Sequence, residues 1–283
     1  MFTRITYTNR IGIIYISIYY LANNELENLM FKIKNVITLL CFFSSSLAYS
    51  DVNMYGPGGP HTALKEAASL YQKQTGVKVN VNYGPQANWN NIAKKDADII
   101  FGASEQSSLA IIRDHNEKFN EKDTTPLYLR KSIILVKKGN PKNIQSIEDL
   151  TRNGIGIIVN DGGGRSNTSG TGVWEDIAGR TGNINTVKNI RKNIISFAPN
   201  SGSARKEFET NPNADAWITW LDWAISNPDI GDIVHISPSN TIWRDMNITV
   251  RKNAPEEVNN FATWLQSGNA DKIFYKYGWI KNN

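Results

Sequence analysis

Asp51-Val-Asn-Met-Tyr-Gly-Pro-Gly-Gly-Pro-His-Thr62, followed one helix later by Val77-Lys-Val-Asn-Val-Asn-Tyr83, decides how this 283-residue chain is read. Residues 51–55 suit a short strand. Residues 56–60 are three glycines and two prolines, which can extend neither strand nor helix, so they form a loop. Thr62 is placed to cap a helix whose apolar side chains, Leu64, Ala67, Ala68 and Tyr71, recur at helical spacing. Gly76 ends that helix. Val77, Val79, Val81 and Tyr83 then alternate strictly, the period of a strand. Strand, glycine-rich loop, helix and strand make one unit of an α/β fold.

The pattern repeats along the chain. Residues 97–101, 132–136, 155–159, 194–198, 215–219 and 233–236 read as further strands. Residues 109–113, 172–179, 255–265 and 271–275 read as helical. Ser146 and Asp149 have capping-box spacing. Strands alternating with helices predict mostly parallel sheets flanked by helices, with ligands bound at the carboxyl ends of the strands.

Composition excludes several classes. Forty per cent hydrophobic and 20% charged residues are ordinary for a globular chain. The formal charge of +5 is dispersed, with no basic block to suggest nucleic acid. A single cysteine, Cys41, rules out a disulfide scaffold and a cysteine-based zinc site. His61, His115 and His235 show no metal-ligand spacing. No G-x-S-x-G elbow or P-loop occurs, so no enzyme, cofactor or metal is predicted. Lys32 and Lys34, the apolar run 36–47, and Ala48 and Ser50 at the −3 and −1 positions make residues 30–50 a secretory signal peptide. Residues 1–29 then read as a start assigned too early. The expected location is the periplasm, and the expected state is a monomer.

The polar loops 56–62, 83–88, 102–107, 162–172 and 200–205 are rich in Gly, Ser and Thr. Each leads toward a helix, whose first N–H groups lack partners and carry partial positive charge. Converging, they would cradle an anion without needing charged side chains. In the run Asp215 to Trp223, strand alternation puts Trp217 and Thr219 on one face and Ile218 and Trp220 on the other. One tryptophan would then be core while Trp220 turns its indole N–H toward a cleft. The alternative is that all are packing aromatics. Asp222 and Glu175 read as surface or capping groups.

Asn167-Thr-Ser-Gly-Thr-Gly-Val-Trp174 and Ile218-Thr-Trp220 with Ala224 resemble, in the same order, elements of periplasmic sulfate-binding proteins. The string from Tyr55 to Thr62, with Phe101-Gly-Ala-Ser-Glu-Gln-Ser107 and Asn200-Ser-Gly-Ser-Ala-Arg205, resembles the accessory colonisation factor AcfC family from about Asp51 to Trp279. The resemblance implies a two-lobed, type II periplasmic binding protein that closes around a tetrahedral, sulfate-like oxyanion. The lobes would be residues 51–133 with 245–283, and residues 134–244. Its partner would be an ABC-type permease or a chemoreceptor at the inner membrane.

Carried over by motif, the ligand donors are the N–H of Gly56, the hydroxyl of Ser169, the N–H groups of Gly170, Thr171 and Ser203, and the indole of Trp220. Gly58, His61 and Thr62 join them from the shared loop. Loop 83–88 lacks the serine that sulfate binders use there; Gln86, Asn88 or Ser104 would substitute. Arg165 and Arg205 suit an anion such as sulfate and equally a small organic carboxylate. Glu105, if it faced the ligand, would favour one carrying a proton donor. A hydrolase or adhesin on the same fold is the reading from another class.

Overall fold

Among the described residues, nine strands, numbered β1 to β9 in chain order, hydrogen-bond in the order β2-β1-β3-β9-β4-β7-β5-β6, with β8 also paired to β4. The computed structural model describes residues 50–162 and 168–281. Residues 1–49, which hold nearly all of the segment predicted to be a signal peptide, and Arg165 lie outside the described residues. Strands β1 (Val52–Gly56), β2 (Val79–Tyr83) and β3 (Ile99–Gly102) pair in parallel. So do β5 (Ile157–Asn160), β6 (Ile194–Ala198) and β7 (Ala216–Trp220). Two longer strands, β4 (Thr125–Val136) and β9 (Trp243–Val250), join the two sets through antiparallel pairings. β8 is Asp232–His235.

Helix α1 (His61–Thr75) buries Leu64, Ala67, Ala68 and Tyr71, the stripe predicted by spacing. Gly76 closes it at φ 80°, a left-handed angle that favours glycine, and its N–H caps Gln72 O. The helix begins two residues earlier than expected. Pro60, not Thr62, stands at the N-cap, and no side chain caps the helix. Proline fits a helix start because it lacks an N–H that would go unpaired there. The shorter helices are α2 (Asn90–Asp96), α3 (Glu105–Arg113), α4 (Val173–Gly179), α5 (Ile184–Asn193), α6 (Ser201–Thr210), α7 (Leu221–Ser226), α8 (Glu256–Gln266) and α9 (Asp271–Lys276).

Each set of strands has helices on both faces. Val52, Met54, Ile99 and Phe101 pack against α1, α8 and α9, while Tyr55 and Ile100 pack against Trp89, Ala93 and Ile112. In the other half Ile134, Ile218 and Trp220 face one layer, and Ile133, Leu135 and Trp217 the other. Burying a side chain such as Leu64 or Phe261 contributes about 1.5–3 kcal/mol. No described helix is long and apolar enough to cross a membrane.

Candidate functional site

Arg130 sits in β4, between Leu129 and Lys131, and is fully buried. A guanidinium cannot shed its charge, so a buried one must be paired. Nη1 donates to both oxygens of Asp222, at 3.0 and 2.9 Å. Nη2 donates to Ala103 O at 2.9 Å and to Ser169 Oγ at 2.8 Å. The guanidinium carbon lies 4.7 Å from the centre of the Trp220 ring and 5.0 Å from that of Trp279. One cation thus gathers β4, the loop after β3, the segment before α4, the start of α7 and the C-terminal segment. Burial lowers the Arg130 pKa and raises that of Asp222, and each group opposes the shift in the other. Asp222 is therefore not the surface group its sequence context suggested; it is 2% exposed.

Beside this pair is a pocket of about 110 Å³. Gly58, Gly59, His61 and Thr62 line one side; Arg205, Asp222, Trp223 and Asn227 line the other. Drug-sized ligands occupy roughly 300–1,000 Å³, so this space suits a small solute. The start of α1 opens here. Its first turn holds no acidic residue, and the N–H groups of Thr62 and Ala63 have no acceptor among the described residues. Three other helix starts are engaged by a capping side chain: Ser104 caps α3, Asn183 caps α5 and Asn200 caps α6. Arg205 contributes positive charge, held by Asn227 Oδ1 at 2.6 Å and Glu209 at 3.5 Å.

His61 forms a short hydrogen bond from Nδ1 to Gly58 O and stacks on Tyr83 at 3.9 Å. The carbonyl can only accept, so Nδ1 carries the proton in the neutral ring. Burial is the main cause that lowers the His61 pKa, with Lys65 adding to it.

The remaining candidates stand in varied surroundings. Ser169 is at Arg130, its hydroxyl oxygen accepting from Nη2. Gly170 N–H goes to Thr168 Oγ1 and Thr171 N–H to Thr168 O. Ser203 N–H goes to its cap, Asn200 Oδ1. Gln86 bonds Asn90 and Asp114, away from the pocket. Ser104 is buried in the cap of α3. Glu105 is exposed, its N–H held by Asp245. Gly56 allows close approach of strands, since a Cβ there would lie 2.3 Å from Phe101 O. Trp220 is 1% exposed and its indole nitrogen is buried without a partner among the described residues. It is Trp223 that lines the pocket.

Residues 52–280 match the family described as bacterial extracellular solute-binding protein. The chain belongs to that family. A crystal structure of PEB3 with L-phospholactate bound is 55% identical, with a TM-score of 0.80, over 82% of this chain and all of PEB3. PEB3 from Campylobacter jejuni gives 53% and 0.79 over the same shares. The sulfate-binding protein SubI of Mycobacterium tuberculosis is 18% identical, with a TM-score of 0.65, over 82% of this chain and 86% of SubI. That likeness shows the periplasmic-binding-protein fold alone. No curated protein gives a significant match.

Arg130 and Asp222 were missed as a pair because they lie 92 residues apart. The sequence did carry a signal: an arginine two residues before the strand run Ser132 to Val136 has to find an anion or another acceptor once the strand extends back to bury it. Among the described residues of this solute-binding protein, no group of three or more His, Cys, Asp or Glu could hold a metal ion.

The histidines also set an acid limit on folding. His61, His115 and His235 all have lowered pKa values, each mainly through burial. The unfolded chain, with histidines near 6.5, therefore binds more protons than the folded one just below that pH. Stability should be full above about pH 6.5 and fall as the pH drops through the lowered values. Thermal midpoints at pH 7.5 and 5.5 should show the decline. His115 Nε2 meets Asn90 Oδ1 at 2.7 Å while its buried Nδ1 has no partner. His115→Gln keeps a donor for Asn90 without a titrating ring and should reduce the decline; an equal decline in the variant removes His115 as a cause.

Proposed function

We propose that the protein is an exported receptor for a small anion, and that its ligand is a phosphorylated carboxylic acid of a few carbons rather than sulfate. The observation that carries this reading is the uncapped start of α1 facing Arg205 across a small pocket. Helix N–H groups and the dipole suit a phosphate, and a guanidinium suits a carboxylate or phosphate. The L-phospholactate bound to PEB3 supports the same class.

In this reading residues 51–133 with 245–283 form one lobe and residues 134–244 the other. Strands β4 and β9 carry the hinge, and ligand bridging the lobes closes them. The closed form is then recognised by a permease or chemoreceptor at the inner membrane. The family and the motif at residues 30–50 support a periplasmic location.

Calorimetry with L-phospholactate, phosphate, lactate, sulfate and molybdate tests this reading. L-phospholactate should bind tightest. Arg205→Ala and His61→Ala should each weaken it about tenfold or more, the loss expected for a charged or partly buried hydrogen-bonding group. Unchanged affinities for every anion in both variants would show that the pocket is not the binding site.

A further inference from the structure

We propose that the open edge of β6, with the basic face of α5 beside it, is a docking surface for an acidic, extended polypeptide segment of another protein, which adds to the sheet as one more strand. The surface is separate from the pocket, and the proposal does not depend on the receptor reading.

β6 ends the strand order and pairs only with β5. Asp161 N–H donates to Ala198 O, so the backbone polar groups of Ala198 point to β5. These directions alternate along a strand, so the N–H and C=O of Phe197 point outward to the open edge. One extra residue of β6, Ile195, interrupts the register with β5 and stands 45% exposed. Folded proteins guard such edges, often with charge. At the opposite end of the sheet Lys78, just before β2, pairs with Asp51 at 2.9 Å, and β8 begins with Asp232 paired to Lys138 at 3.0 Å. Ile194-Ile-Ser-Phe-Ala198 carries no charge.

The charge lies next to it and is of one sign. Residues 177–206 hold Arg180, Lys188, Arg191, Lys192, Arg205 and Lys206 and no carboxylate. Lys188, Arg191 and Lys192 are exposed on α5, and Ile184 at its start is 63% exposed. The Arg191 guanidinium carbon lies 4.6 Å from the centre of the Phe197 ring, which sets the helix's charge against the strand. The neighbouring carboxylates are already engaged: Asp149 with Arg152, Asp176 with Arg244, Glu209 with Arg205, and Glu207 with Ser196 Oγ at 2.6 Å. Lys188, Arg191 and Lys192 pair with no carboxylate among the described residues.

Together these features choose the occupant. Strand addition takes its affinity from backbone hydrogen bonds and its specificity from the side chains around the edge. A second copy of this chain is disfavoured. Antiparallel pairing of two β6 edges about a twofold axis would continue one sheet and set both α5 helices on the same face, cation against cation. A segment bearing Asp or Glu meets the reverse, attraction to the α5 cations and apolar contact with Ile195.

The test titrates the protein at low salt with three labelled, end-capped peptides: Glu-Val-Thr-Val-Glu-Val-Thr-Val-Glu, the same peptide with Lys for every Glu, and the acidic peptide with Pro for its central Val, which breaks a strand. The acidic peptide should bind at least about tenfold tighter than either control and should slow amide hydrogen exchange in residues 194–198. Lys188→Glu with Lys192→Glu, both at exposed positions, should weaken it about tenfold and leave L-phospholactate binding unchanged. Equal binding of the acidic and basic peptides, or acidic binding that leaves exchange at 194–198 unaltered, overturns the proposal. Self-association at rising concentration that slows exchange there also overturns it, by making the occupant a second copy. Binding to vesicles of anionic phospholipid without binding to the acidic peptide overturns it in favour of a membrane surface.

Discussion

Replacing Arg130 with methionine should lower the free energy of unfolding by about 3–5 kcal/mol, the usual cost of breaking a buried ion pair by removing one partner. Asp222 would be left buried beside an apolar side chain, and Ala103 O and Ser169 Oγ would lose their shared donor. At roughly 2–4 °C per kcal/mol for a domain of this size, the thermal midpoint should drop by about 6–20 °C. The double variant Arg130→Met with Asp222→Leu should recover much of the loss, because a buried pair replaced by apolar residues is often near neutral. Denaturant titration of the wild type and both variants measures this. A single variant within 1 kcal/mol of wild type would mean that the pair does not carry the load its burial implies.

The second large effect concerns two adjacent glycines with different surroundings. A Cβ on Gly59 would lie 2.6 Å from Arg130 Nη1. That atom ends a flexible side chain, but Arg130 is fully buried, with the rings of Trp220 and Trp279 centred 4.7 and 5.0 Å from its guanidinium carbon. It has nowhere to move. Gly59→Ala should therefore cost about 1–3 kcal/mol, as overpacking does, and should weaken anion binding by more than tenfold. A Cβ on Gly58 would meet only Trp223 carbons at 3.6 and 3.7 Å, ordinary contact distances. Gly58→Ala should stay within about 0.5 kcal/mol of wild type. Thermal melts and anion titrations of both variants provide the comparison, and equal behaviour of the two would refute the packing argument.

Much of the fold was legible because burial imposes periods. The Val77 to Tyr83 alternation gave β2, and the Leu64 to Tyr71 spacing gave the buried face of α1. β9 was not legible: Trp243-Arg-Asp-Met-Asn-Ile-Thr-Val250 carries charge on both sides, since it runs between two other strands and past the site. Helix α5 was missed because only Ile190 and Asn193 of its ten residues are buried, too thin a stripe to stand out. Within the site, Gly58, His61, Thr62 and Arg205 were nominated from their loops, and the structure brings them to one pocket. Ser203 and Gln86 were nominated on the same grounds, and their donors are engaged elsewhere. Loop chemistry shows which turns offer donors; only tertiary contact shows which offers remain open. The Arg130–Asp222 pair lay beyond the sequence for a related reason, as neither residue's neighbours specify its partner.

The position of β9 between β3 and β4 has a consequence for biogenesis. A nascent chain that has reached residue 136 has made both neighbours of a strand that it will not possess for another hundred residues. Until then β3 and the first half of β4 have an unfilled gap between them, and Trp279, one of the two indoles beside the Arg130 guanidinium, arrives later still. The first half of the polypeptide therefore cannot settle ahead of the second. The high sequence separation of these contacts predicts slow acquisition of the native state.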